Sequence, residues 1–230
     1  MLRLRKEPPL VLESLGPTVR TLRHIRPSQL LHRVRYSLRR PLWERLSGRI
    51  DARYEARAAS RRCEVRWQHP GLARVARFRE ERLSADRARE VADAALTGRF
   101  QFLGRSREMG REVAWFDPEL DSGTRLWKTH LHEFAYAEAL ARSAREEQDP
   151  RYRDRFFELA RSWRAAAPIG CRDFAKDAWN GRATANRLIH WAVAGSILEL
   201  AEGDPDADWL GMQLAVAGLF LRDNLELDLL

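Results

Sequence analysis

The residues best suited to chemistry fall in two short stretches. One is Leu126-Trp127-Lys128-Thr129-His130-Leu131-His132-Glu133-Phe134-Ala135-Tyr136. The other is Trp179, followed eight residues later by Arg187 and then by His190-Trp191. Indole and phenol faces stack on flat apolar ring faces, imidazole reaches hydroxyls, and the planar guanidinium fork of Arg187 matches a carboxylate at two points. Such a mixture suits a groove for a sugar or sugar acid, with Trp127, His130, His132, Tyr136, Trp179, Arg187, His190 and Trp191 as its candidate lining. The same residues admit a plainer reading. They can be a satisfied seam between packed helices, with the tryptophans in the core and Arg187 at a helix end.

Helical spacing limits what these groups can do together. His130 and His132 lie about 200° apart on a helix, so they cannot chelate one metal as a pair, and no His-Glu-x-x-His spacing exists. Neither a metal nor a cofactor is expected. Trp127, Leu131, Phe134 and Ala141 form an apolar stripe that Glu138 interrupts. Lys128, His132 and Tyr136 recur at i, i+4 and i+8 as a polar stripe beside it. Arg187, His190 and Trp191 share a second face at i, i+3 and i+4, with the small residues Ala183 and Ala194 nearby. No residue of either stretch is assigned a catalytic role.

The elements that must position these groups read as mainly helical. Residues 1–27 are punctuated by Pro8, Pro9, Gly16, Pro17 and Pro27, so they read as irregular. Ser28 then caps a basic helix over residues 29–39, and a second stretch follows Pro41 over residues 42–59. Residues 63–82 read as extended or loop structure. A helix over 84–96 ends before Gly98, and residues 100–103 and 112–115 read as a short β-like pair around a turn. Beyond residue 124 four helices are expected. They cover residues 125–146, a stretch opened by Asp149-Pro150, residues 182–201, and a stretch opened by Asp204-Pro205. Short linkers between consecutive helices imply antiparallel hairpins, and no sequence repeat points to a solenoid. The chain ends Leu225-Glu226-Leu227-Asp228-Leu229-Leu230, without a helix-stop residue, and reads as cut within or just after a helix.

Composition narrows the class. A chain of 230 residues that is 44% hydrophobic, with eight tryptophans, can bury a sizeable core. The net charge of +8 is unevenly spread: residues 1–62 hold 16 Lys and Arg against 5 Asp and Glu, and the remainder holds 25 against 28. The excess charge thus belongs to an N-terminal arm (1–62), and the body (63–230) is slightly acidic. No recognition motif accompanies the arm, so nucleic acid is not an expected partner. The arm reads as helices packed on the body, with an acidic polymer or a membrane surface as the sharper alternative. Cys63 and Cys171 are too few for a disulfide framework, although one bridge between them stays open. No signal peptide is visible, and the longest apolar run, residues 214–221, is too short to span a bilayer.

In their order these motifs resemble the N-terminal helical domain of heparinase II/III-like polysaccharide lyases. The motifs are Phe-x-Phe-Leu-Gly at 100–104, Trp-x-Asp-Pro at 115–118, Leu-Trp-x-x-x-Leu-His-x-Phe-x-Tyr at 126–136 and Trp-x7-Arg-x2-His-Trp at 179–191. Residues 21–40, containing Arg26-Pro27-Ser28-Gln29, also resemble the basic leader of bacterial members. His130 and His190 stand where asparagine is commoner in that family, and Glu133 and Ala135 replace an aromatic and an acidic residue. The resemblance implies an incomplete (α/α) toroid of helical hairpins, followed in complete members by a β-sandwich domain. It implies a periplasmic or secreted protein that takes an acidic polysaccharide and cleaves uronic-acid chains by β-elimination. That chemistry needs a group that neutralises the carboxylate beside C5 and a Tyr or His that moves the proton. The family's asparagine-histidine motif and catalytic tyrosine would come after residue 230, so only the eight lining residues are expected here. The alternative is a non-catalytic helical carbohydrate-binding or scaffold protein of polysaccharide assembly.

Overall fold

The computed structural model describes residues 38–61, 65–121 and 125–224. The expected helix over 29–39 lies almost wholly outside them, as do the irregular leader, Cys63 and the apolar end at 225–230. Residues 42–225 form one compact unit; residues 1–41 with 226–230 form another, of which only 38–41, all helical, are described. The larger unit therefore begins at Leu42, whereas the charge distribution places the boundary at 62.

The order of elements in that unit is α1 (Ser47–Ser60), α2 (Pro70–Glu81), α3 (Ala85–Leu96), β1 (Arg99–Phe102), β2 (Arg105–Glu108), a 3-10 turn (Pro118–Asp121), α4 (Arg125–Glu133), α5 (Tyr136–Glu147), α6 (Pro150–Ala166), α7 (Gly181–Ile197) and α8 (Pro205–Asn224). It is mainly α. Helix α5 packs against α3, α6 and α7, and α7 in turn packs against α2, α4 and α8. Helix α8 also packs against α1, where Arg57 donates to Asp223 at 2.6 Å. The core is one cluster that runs from Trp43 and Tyr54 through Phe134, Trp163 and Trp191 to Phe220.

Local sequence explains most helix starts. Ser84, Asp149 and Asn180 each accept a hydrogen bond from a backbone N–H of the first turn of α3, α6 and α7, and Pro150 sits at N1 of α6. Helix α2 corrects the extended reading of 63–82. His69 caps it through its ring, which accepts from Gly71 N, and Pro70 occupies the first turn. Its apolar face is thin, with Ala76 alone buried, because it lies at the edge of α7. The hairpin is also shifted. Leu103 and Gly104 both have positive φ (54° and 72°), so they make a two-residue turn that pairs Phe102 with Arg105 and Arg99 with Glu108. The second strand is therefore 105–108, not 112–115. Gly98 closes the hairpin's base: a Cβ there would stand 1.7 Å from the Gly110 carbonyl oxygen.

The expected single helix over 125–146 is two helices. Phe134 takes a left-handed φ of 64°, and α5 restarts at Tyr136. A bulky residue in that region costs on the order of 1–3 kcal/mol. Burial offsets it, because the fully enclosed Phe134 ring meets Trp115, Tyr136, Trp163 and Trp191 at centroid distances of 5.0–5.9 Å. The Tyr136 hydroxyl donates to the Leu131 carbonyl at 3.3 Å, near the break.

Candidate functional site

Six of the eight candidate lining residues are enclosed in the core. Trp127, His132, Tyr136, Trp179, Arg187 and Trp191 are 0–3% exposed. Several of their polar atoms are satisfied within the fold, whereas His132 Nε2, Arg187 Nη2 and Trp191 Nε1 are buried with no hydrogen-bond partner among the described residues. Trp127 Nε1 donates to the Arg105 carbonyl (3.1 Å) and Trp179 Nε1 to the Ala167 carbonyl (2.9 Å). Trp163 Nε1 donates to His132 Nδ1 at 3.0 Å, which places the imidazole proton on Nε2. Burial, followed by the charges of Arg187 and Lys128, holds His132 well below the usual imidazole range, so it is neutral. The Lys128 ammonium is itself paired with Asp177 at 3.0 Å.

Arg187 is the centre of this enclosed set. One terminal nitrogen donates to two carbonyls, those of His132 (3.0 Å) and Ala178 (2.8 Å), which tie α4 and the loop before α7 to α7 itself. The guanidinium lies over Trp163 at 3.8 Å from the ring centroid, with Trp179 and Trp191 at 5.1 and 5.9 Å. Among the described residues no carboxylate is paired with it. The aromatic faces and carbonyl dipoles take the place of a counter-ion. Burial and the charge of Arg164 lower its pKa to about 9, which still leaves it charged at neutral pH.

Tyr136 forms part of a recess of about 230 Å³ between α3 and the hairpin, beside Phe100, Phe102 and Arg87. A roomier recess of about 810 Å³ lies between residues 65–70, the loop at 199–202 and α8, and contains none of the eight candidates.

His130 and His190 are the two that stay near solvent, and each heads a unit of the same composition. His130 Nδ1 meets Glu133 Oε2 at 2.8 Å, and Arg182 Nε meets Glu133 Oε1 at 3.0 Å. The His130 ring stacks on Phe102, with centroids 5.9 Å apart and planes 26° from parallel. In the second unit His190 Nδ1 meets Glu138 Oε1 at 2.6 Å, and Arg79 Nε donates to the same oxygen at 2.7 Å. Arg79 Nη2 lies 3.1 Å from His190 Nδ1. Each imidazole therefore faces its glutamate through Nδ1 and turns Nε2 away from it, and at His190 the same Nδ1 also faces the Arg79 guanidinium. Both glutamates are largely enclosed, with side chains 5% and 13% exposed.

Sequence reasoning named the two histidines and passed over Glu133, Glu138, Arg79 and Arg182. Glu133 stands three residues after His130, a spacing that brings side chains together on a helix. Glu138 was visible as the charge that interrupts an apolar stripe. Arg79 had no such signal, because it arrives from α2. Among the described residues no group of three His, Cys, Asp or Glu could hold a metal ion. None of the described helices is long and apolar enough to cross a membrane. Set beside known proteins, the chain matches no family model, no curated protein and no solved structure.

Proposed function

We propose that this chain is the substrate-binding helical part of a heparinase II/III-like lyase, which cleaves uronic-acid polysaccharide by β-elimination. The observation that carries the reading is the pair of Arg–Glu–His units along α7. They gather guanidinium forks and carboxylate-paired imidazoles, the groups that recognise sugar carboxylates and hydroxyls. The side-by-side order α3, α5, α7, with α6 and α8 as return helices, is what a segment of an (α/α) toroid would have. The motif order from residue 100 to 191 supports the same assignment. The units serve binding, and no described residue is assigned to the elimination step.

A non-catalytic carbohydrate-binding or scaffold role in polysaccharide assembly is the second reading. It is favoured by the enclosure of Tyr136, the phenol among the candidates, whose hydroxyl is committed to the Leu131 carbonyl. A phenol that moves a proton must reach substrate.

Affinity electrophoresis of the protein through heparan sulfate, hyaluronan, alginate and polygalacturonate, with neutral glucans as controls, tests both. Retardation by an acidic polymer is expected. If no acidic polymer slows the protein more than the glucans do, both readings fall for this class of ligand. Elimination creates an unsaturated uronate that absorbs in the ultraviolet. Appearance of that band on incubation would favour the lyase, and binding without it the second reading.

A further inference from the structure

The two Arg–Glu–His units each place one member on α7, Arg182 in the first and His190 in the second, and draw the others from α4, α5 and α2. We propose that the α7 face from Arg182 through Asn186 to His190 binds an extended acidic saccharide at two carboxylates, one per unit. This deepens the saccharide-binding reading and rests on it.

Arg182 and His190 are eight residues apart, which is about 12 Å along a helix axis. Asn186 lies midway, and each four-residue step turns the stripe by only about 40°, so the three positions share a face. Asn186 is half-buried, and the neighbouring Ile189 is 42% exposed, so the face is open and partly apolar. At the first end Arg182 is ion-paired with Glu133, Nε to Oε1 at 3.0 Å, and its side chain is 58% exposed. Among the described residues its two terminal nitrogens have no partner and remain for ligand oxygens. At the second end Arg79 uses Nε on Glu138 and is 34% exposed, leaving Nη1 for a ligand.

The glutamates reduce the net attraction for an anion. Glu138 also holds the Arg79 guanidinium by a hydrogen bond, and Glu133 keeps Arg182 near by charge, so less side-chain freedom is lost when a carboxylate docks. Each histidine faces a glutamate through Nδ1, which leaves Nε2 to meet a sugar hydroxyl. Neutral sugars would use the histidines alone, whereas uronates would engage both arginines. A single uronate can fill one unit; an oligomer that spans both gains by bridging them.

Calorimetric titration of the whole chain with D-glucuronate, a tetrameric oligogalacturonate and a neutral glucan tetramer tests this. The acidic tetramer should bind at least about 10-fold more tightly than the monomer, with the neutral tetramer weaker than both. Arg182→Gln and Arg79→Gln should each erase the tetramer's advantage and leave monomer binding within about 3-fold. Arg111→Gln, at a side chain 79% exposed and paired with Glu158 on α6, should change nothing. Asn186→Asp, which sets a negative charge between the units at a half-buried position, checks the same face without touching either ion pair. It should weaken the tetramer about 10-fold with an unaltered circular dichroism spectrum. If the acidic tetramer binds wild type and all three α7-face variants alike, the proposed face is wrong while saccharide binding stands. If one arginine matters and the other does not, two-point binding is refuted. If folded wild type binds no acidic saccharide, both this proposal and the function it rests on fall.

Discussion

His132 sets an acid limit on the fold. It is fully enclosed among Trp115, Phe116 and Trp163, and its Nδ1 must stay unprotonated to accept from Trp163. Its folded pKa is depressed, first by burial and then by Arg187 and Lys128, while the unfolded chain titrates near 6.5. Below about pH 6.5 the unfolded state therefore binds a proton that the native state refuses. Stability is fully present above that pH and falls as the pH drops toward the folded value, at about 1.4 kcal/mol per unit. His132→Asn removes the titration and keeps an acceptor near the Nδ1 position. The variant should lose about 1–3 kcal/mol at pH 7.5 from the smaller side chain. Its stability should then fall with acid less steeply than wild type, by about 1.4 kcal/mol per unit. Urea unfolding at half-unit steps from pH 7.5 to 4.5, followed by far-ultraviolet circular dichroism, measures both slopes. Parallel slopes would show that His132 is not the buried neutral group described, and the enclosed network would need another origin for its stability.

Three further outcomes follow from the packing. Gly98→Ala places a Cβ against the Gly110 carbonyl oxygen at a positive φ, so it should cost at least about 2 kcal/mol in chemical denaturation; a loss below 0.5 would contradict the closed hairpin base. Gly195→Ala puts a Cβ 2.3 Å from the Trp67 ring, and displacing that indole should cost about 1–3 kcal/mol with a shift in tryptophan emission. Asp177→Asn removes the carboxylate from Lys128, whose side chain is 4% exposed, and should lower stability by about 3–5 kcal/mol at neutral pH. Equal melting of wild type and this variant would mean that the pair is solvated.

Much of the architecture was legible because its signals are local. Ser84, Asp149-Pro150 and Asp204-Pro205 mark helix starts whatever surrounds them, and the starts of α3, α6 and α8 follow. Helix α2 escaped because its apolar stripe is too thin to give a period, and histidine is an uncommon cap. The break at Phe134 carries no glycine, proline or asparagine. Three of the four rings around Phe134, those of Trp115, Trp163 and Trp191, come from the segment after β2, α6 and α7, far apart in sequence, and no window of the chain contains that information. The site was half legible for a related reason. His132 and Arg187 look like functional polar groups in a one-dimensional pattern, yet an indole N–H on Nδ1 and two backbone carbonyls on Nη1 anchor them inside the core, with His132 Nε2 and Arg187 Nη2 left unpartnered among the described residues. His130 and His190 differ from them only in what α2, β1 and the ends of α4 and α5 leave uncovered.

The left-handed joint at Phe134 has a consequence for how the two units can vary. Along an unbroken helix, Glu133 and Glu138 would be separated by about 140° of rotation, and a residue inserted before either would turn everything downstream by about 100°. The joint ends one helix and starts another, so the angular phase of α5 is set by its own packing against α3 and α7 rather than inherited from α4. The His130 end and the His190 end can therefore be lengthened, shortened or re-aimed separately, with Phe134 absorbing the mismatch.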